Sequence, residues 1–181
     1  MEFVLIRHTR CEVAGGTCYG RLDVPLASSA AEDIAHALDR TPRVDRVCAS
    51  PAQRCLELAR KLAMRDRCEL RVLDELQELD FGAWEGMSWG EIPRPQSDEW
   101  AEDPWNRRPA RGETESELWA RVTSVAEHLL QATHIQRVAV VSHGGPLRIL
   151  RSFLTQAPAS DCWSLSMELG EVVLVTANLQ R

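Results

Sequence analysis

The chain has 181 residues, a net charge of −6, 44% hydrophobic and 27% charged residues. That length and balance favour one domain with a sizeable core and exclude a disordered chain; the acidic charge argues against a nucleic-acid binder, and no apolar run reaches the ~18 residues that span a bilayer. With no charged-then-apolar leader and six cysteines lacking C-x-x-C spacing, a cytoplasmic protein with free thiols and no metal site is expected.

In chain order, a first strand at Phe3–Ile6 runs straight into Arg7 and His8 in "FVLIRHTR", with no turn residue between. "SSAAEDIAHAL" predicts a helix with Ser29 as N-cap and Glu32 closing a capping box. A strand at Arg46–Ala49 precedes "SPAQRCLELARKLA", where Ser50 is the expected N-cap, Pro51 the first helical residue and Gln53 the box partner. After a strand at Leu70–Leu73 comes the least regular stretch, Gly86 to Gly112, rich in Pro, Trp and charge. Such a segment usually covers or binds something. "GETESELWARVTSVAEHLLQA" then starts at Thr114 with Glu117 in the box, and Leu118, Val122, Val125 and Leu129 give it one apolar face. A strand at Val138–Ser142 leads directly into the helix "GGPLRILRSFL", and a last strand covers Val172–Ala177.

Strands alternating with helices imply an α/β fold: three layers, with a mostly parallel central sheet and helices on both faces. Ligands of such sheets bind beyond the carboxyl ends of the strands. Three strand ends would bring Arg7 with His8, Arg54 and His143 to one crevice. Arg54 falls in a first helical turn, where the macrodipole disfavours a cation. A site that wants positive charge there is one for an anion. Since Lys61 is the single lysine, such a site must be built from arginine. On this reading, removing Arg54 costs activity far more than stability.

At these residues the sequence resembles the histidine phosphatase superfamily, the phosphoglycerate mutase-like fold, over nearly the whole chain. The motifs are "RHT" at 7–9, "YGRLDVPL" at 19–26, "SPAQR" at 50–54, "ELDFGAWEG" at 78–86, "GETESELWAR" at 112–121 and "SHGG" at 142–145. The resemblance implies one domain over 1–181, with the segment at about 86–112 covering the active site. It implies a phosphohistidine on His8, with Arg7, Arg54 and His143 gripping the phosphoryl oxygens. Tyr19, Gly20 and Gly144 would add to substrate binding, and Glu78 would be general acid and then base. From the residues alone, Glu75, Asp80 and Glu85 are equal candidates to Glu78. Two departures stand out: Thr9 replaces the family's usual Gly, and Ala14 lies near the place of an Asn that contacts phosphate. Thr9, Thr17 or the Gly15-Gly16 turn is expected to substitute.

The implied activity is hydrolysis of a small phosphorylated metabolite without metal or other cofactor. The loop "GGTCYGRLDVPL" is similar to that of the α-ribazole phosphatase branch, which points to α-ribazole 5′-phosphate and cobalamin biosynthesis. The alternatives are a phosphoglycerate mutase, for which the chain looks too short to enclose the site, a sugar-phosphate phosphatase, and a non-catalytic phosphate-binding module. No nucleic acid or membrane is expected as partner; a homodimer is allowed. The tryptophans Trp84, Trp89, Trp100 and Trp105 either stack on a base-like substrate or pack the fold.

Overall fold

The computed structural model describes residues 1–132 and 134–177. Its sheet has five strands: β1 (Glu2–Arg7), β2 (Arg46–Ala49), β3 (Glu69–Val72), β4 (Arg137–Ser142) and β5 (Val172–Thr176). Their order across the sheet is β3-β2-β4-β1-β5, parallel except for β5, which runs antiparallel to β1. Apart from their polar end residues, the central strands β1, β2 and β4 read as unbroken apolar runs because both of their faces are covered.

The helices are α1 (Ala30–Arg40), α2 (Gln53–Asp66), α3 (Arg94–Glu102), α4 (Glu115–Leu130) and α5 (Gly144–Thr155). On one face of the sheet, Val4, Ile6, Val47, Ala49, Ala139 and Val141 pack with Ile34 and Ala37 of α1 and with Leu58, Ala59 and Leu62 of α2. On the other, Phe3, Leu5, Val138 and Val140 meet the α4 stripe Leu118, Val122, Val125 and Leu129, and Leu147, Leu150 and Leu154 of α5. Helices α1, α2, α4 and α5 thus bury residues three or four apart, whereas α3 has none fully buried, and the result is the expected three layers. All six cysteines are unbridged. Among the described residues no helix is long and apolar enough to cross a membrane.

Helix starts follow the sequence unevenly. The Thr114–Glu117 capping box forms in full. The Ser29 box does not: Ser29 already has helical dihedrals, and its hydroxyl faces Asp33, whose carboxylate is held by Arg10. Nor does Ser50 cap α2. That helix starts at Gln53 behind Ala52, because the Ser50 hydroxyl turns to His143, 2.8 Å away. Pro51 therefore lies outside the helix, while Arg54 stays in its first turn.

Candidate active site

Arg7 and Ser142 are register partners at the ends of β1 and β4, so the next residues, His8 and His143, leave neighbouring strands side by side. Their ring centroids are 5.2 Å apart at an interplanar angle of 65°. From here the chain departs toward opposite faces, to α1 after β1 and to α5 after β4, which opens a crevice at the strand ends. A cavity of about 180 Å³ occupies it, lined by Arg7, His8, Thr17, Tyr19, Arg54, Glu78, Phe81, Trp89 and His143. A second cavity of about 170 Å³ adjoins through Glu78 and His143 and includes Gly20, Arg21 and Gln77.

Hydrogen bonding sets the state of both imidazoles. The Thr9 carbonyl, 2.9 Å from His8 Nδ1, can only accept, so Nδ1 carries the proton and Nε2 keeps its lone pair. Burial, with Arg54 and Arg7 nearby, pushes the His8 pKa down to about 3, although the bond to Thr9 opposes this. His143 is also held well below its usual value, by burial first and then by His8, Arg54 and Arg7. Arg54 donates its Nε–H to His143 Nδ1 at 3.3 Å, so His143 Nε2 carries the proton toward Ser50. A neutral His8 whose Nε2 has no hydrogen-bond partner among the described residues is a competent nucleophile near pH 7.

Both arginines are anchored by backbone carbonyls. Arg7 donates to the Met167 carbonyl at 2.6 Å, and its buried Nε has no partner among the described residues. Arg54, 1% exposed, donates to the carbonyls of Gly20 (2.5 Å) and Leu22 (2.8 Å). Its nearest carboxylate, Asp23, is 3.8 Å away and half exposed, a weak ion pair. Two guanidinium groups fixed without a close buried carboxylate form a clamp suited to an anion.

Of the four neighbouring carboxylates, Glu78 is the one that lines the cavity. It accepts from the Gly145 N–H at 3.2 Å, in the first turn of α5, and from its neighbour Leu79 at 3.0 Å. Gly145 permits this approach, since a Cβ there would lie within 2.4 Å of the carboxylate. Glu75 is exposed and lines a different cleft. Asp80 accepts from Gly82 and pairs with Arg21. Glu85 takes four backbone N–H groups, from Gly20, Arg21, Leu22 and Phe81, at 2.9–3.1 Å.

Tyr19 lines the cavity with its ring 5.5 Å from the Arg54 guanidinium carbon. Gly20 belongs to the adjoining cavity and packs so closely that a Cβ would meet the Leu79 carbonyl at 1.9 Å. Gly144 lines neither cavity and lies behind Arg7. Of the stand-ins for the missing Asn, Thr17 lines the cavity; Thr9 is fully buried and Gly15-Gly16 is an exposed turn. Trp84 is 2% exposed and packs on Cys18 and Ile92, and Trp105 leans on Trp119, so of the four tryptophans Trp89 faces the cavity. Sequence reasoning missed Ser50 and Phe81 as site residues, and Glu85 as the clasp of the 20–22 loop. The signal for Ser50 was present but was spent on a cap that does not form. Among the described residues no three His, Cys, Asp or Glu side chains group to hold a metal ion.

The family model of the histidine phosphatase superfamily (branch 1) matches residues 3–181. The chain belongs to this family. It is 28% identical over 176 residues to the adenosylcobalamin/alpha-ribazole phosphatase of Salmonella typhimurium, covering 94% of this chain and 87% of that protein. It is equally 28% identical over 171 residues to the putative phosphoserine phosphatase 2 of Hydrogenobacter thermophilus, covering 91% and 83%. The crystal structure of the alpha-ribazole phosphatase from Shigella flexneri superposes with a TM-score of 0.88 at 25% identity, over 96% of this chain and 89% of that one. As a histidine phosphatase the chain is an enzyme with the mixed five-stranded α/β sheet of its relatives.

Proposed function

We propose that this histidine phosphatase hydrolyses a small phosphomonoester, without metal, through a phosphohistidine on His8. One observation carries the reading: the neutral His8 commits Nδ1–H to Thr9 and keeps Nε2 uncommitted, in a cavity that also holds Arg7, Arg54, His143 and Glu78. The Nε2 lone pair forms the N–P bond as the P–O bond to the leaving alcohol breaks, and a protonated Glu78 gives its proton to the departing oxygen. Water then attacks phosphorus, Glu78 takes the water's proton, and the N–P bond breaks to return neutral His8 and phosphate. Arg7 and Arg54 stabilise charge on the equatorial oxygens, a task for which fixed guanidinium groups suffice.

α-Ribazole 5′-phosphate is the first substrate we propose, on the strength of the named relatives; the phosphoserine phosphatase likeness at the same identity keeps phosphoserine beside it. We place the segment 86–112 over the mouth of the cavity, where Trp89 already stands. The test has two parts. Turnover of α-ribazole 5′-phosphate, phosphoserine, sugar phosphates and 3-phosphoglycerate with a bisphosphate primer is measured in excess chelator. Enzyme quenched in mid-reaction is then analysed for phosphate that is acid-labile and alkali-stable, absent from His8→Ala. Label on Ser or Cys, or strict dependence on added metal, would overturn the mechanism; phosphoryl return to 3-phosphoglycerate would make the enzyme a mutase.

A further inference from the structure

We infer that Trp89, with Phe81 beside it, is the subsite for the leaving group, and that it takes an uncharged flat ring joined within a few bonds of the phosphate. The inference rests on reading the cavity as a phosphomonoester site. Trp89 lines that cavity yet is 40% exposed. Its ring has two aromatic neighbours: Phe81 meets it edge-on at 5.4 Å and 89°, and Trp100 lies stacked with it at 6.2 Å and 27°. Trp100 is itself set edge-on against the buried Trp84 at 5.7 Å. The Trp89 backbone N–H also donates to the Gly16 carbonyl at 2.9 Å, beside the bridge between Thr17 and Ser88. The exposed indole is therefore held in place before any ligand arrives, which lowers the ordering cost of binding.

Size and charge define what fits. About 180 Å³ falls below the roughly 300–1,000 Å³ of pockets that enclose a whole ligand, so a phosphoryl group and its first attached atoms fill the floor. The rest of the substrate leaves this floor in one of two directions, along the wall formed by Tyr19, Phe81 and Trp89, where we place it, or into the adjoining cavity with Arg21 and Asp23. Among the described residues lining the cavity, the formal charges are Arg7, Arg54 and Glu78, all assigned above to the phosphoryl end. A carboxylate or ammonium on the leaving group would lose water without gaining a partner at that wall. A flat neutral ring loses little and stacks on the indole. A leaving group held at this wall is thus neither an amino acid nor a glycerate, which ranks phosphoserine below α-ribazole 5′-phosphate of the two substrates proposed above.

The test compares benzylphosphonate with cyclohexylmethylphosphonate, similar in size but only one of them flat, and with an amino-acid phosphonate. Binding is measured by calorimetry, and kcat/KM on benzyl phosphate, cyclohexylmethyl phosphate and phosphoserine. The wild type should favour the flat ligand about tenfold and bind the amino-acid ligand most weakly. Trp89→Ala should bring the flat-to-puckered ratio within about twofold of one, and Trp89→Phe should keep most of the preference. A wild type indifferent to flatness, or equal losses on all ligands in both variants, would overturn the subsite. A flat preference in binding with no hydrolysis of any ester leaves the subsite standing and removes the hydrolytic reading; hydrolysis without the preference does the reverse.

Discussion

Arg54 points its Nε–H at Nδ1 of His143 across 3.3 Å. A cation that donates to an imidazole holds it neutral, and the same guanidinium helps to keep His8 neutral. The two rings therefore penalise the folded state in acid. With its folded pKa near 3 and an ordinary value of 6.5, His8 takes up a proton in the unfolded chain first as pH falls. Its contribution is full above about pH 6.5 and lost as pH drops toward 3; His143 acts in the same direction. Between pH 6.5 and 5, above the ordinary carboxylate range, stability should fall by up to about 1.4 kcal/mol per pH unit for each of the two rings. Urea unfolding across that window measures it, and His8→Gln should remove roughly half the slope. A flat profile would show that the rings are protonated or solvated.

Arg54→Ala should cost stability as well as activity, contrary to what its place in a first helical turn suggests. Relief of the macrodipole is worth about 0.3–1 kcal/mol. Against it, the buried Gly20 carbonyl loses its donor, at about 1–3 kcal/mol, while the carbonyl of the exposed Leu22 can turn to water. The second effect is larger, so thermal unfolding of the variant should begin lower. Inorganic phosphate should raise the Tm of the wild type and leave that of the variant where it was. A variant as stable as the wild type would mean that water replaces the guanidinium freely.

The carbonyl contacts of Arg54 belong to what could not be read from the sequence. Strand positions were readable because β1, β2 and β4 have apolar interiors, Phe3–Ile6, Val47–Ala49 and Val138–Val141, and the strand ends carried Arg7, His8 and His143 to one crevice by topology alone. What could not be read were contacts made across the chain. Ser50 looks like a cap because its spacing to Gln53 is local, yet its hydroxyl is claimed by His143, 93 positions away. Four nearby carboxylates look alike until folding sends Glu78 against Gly145 and Glu85 against the 20–22 loop.

Glu85 should act on phosphate binding from outside the cavity. Its Oε2 accepts from Gly20 and Leu22, the two residues whose carbonyls hold Arg54; its Oε1 accepts from Arg21 and Phe81. In Glu85→Gln, whichever way the amide turns, its NH₂ faces two N–H donors and two acceptor contacts vanish. The 20–22 loop should shift and Arg54 with it. Inhibition by phosphate should weaken by about tenfold, the equivalent of about 1.4 kcal/mol in the clamp. A variant that loses Tm but keeps its phosphate affinity would make Glu85 a fold residue with no reach into the site.

Glu78 is tested by the leaving group. A general acid matters most when the departing alkoxide is strongly basic and must be protonated as the P–O bond breaks. The far more acidic p-nitrophenol leaves largely as the anion. Glu78→Gln should therefore slow phosphoenzyme formation roughly 10²–10⁴-fold on an alkyl phosphate and much less on p-nitrophenyl phosphate. Rapid quench isolates this first step, which matters because Glu78 is also the proposed base for water in the second. The amide also disturbs the acceptor contacts with Leu79 and Gly145, a loss that falls on both substrates alike, so the ratio between them is the informative quantity. Glu75→Gln should leave that ratio where it is, because Glu75 faces a different cleft. Equal losses on the two substrates in Glu78→Gln would remove the acid role and leave Glu78 a positioning group at the start of α5.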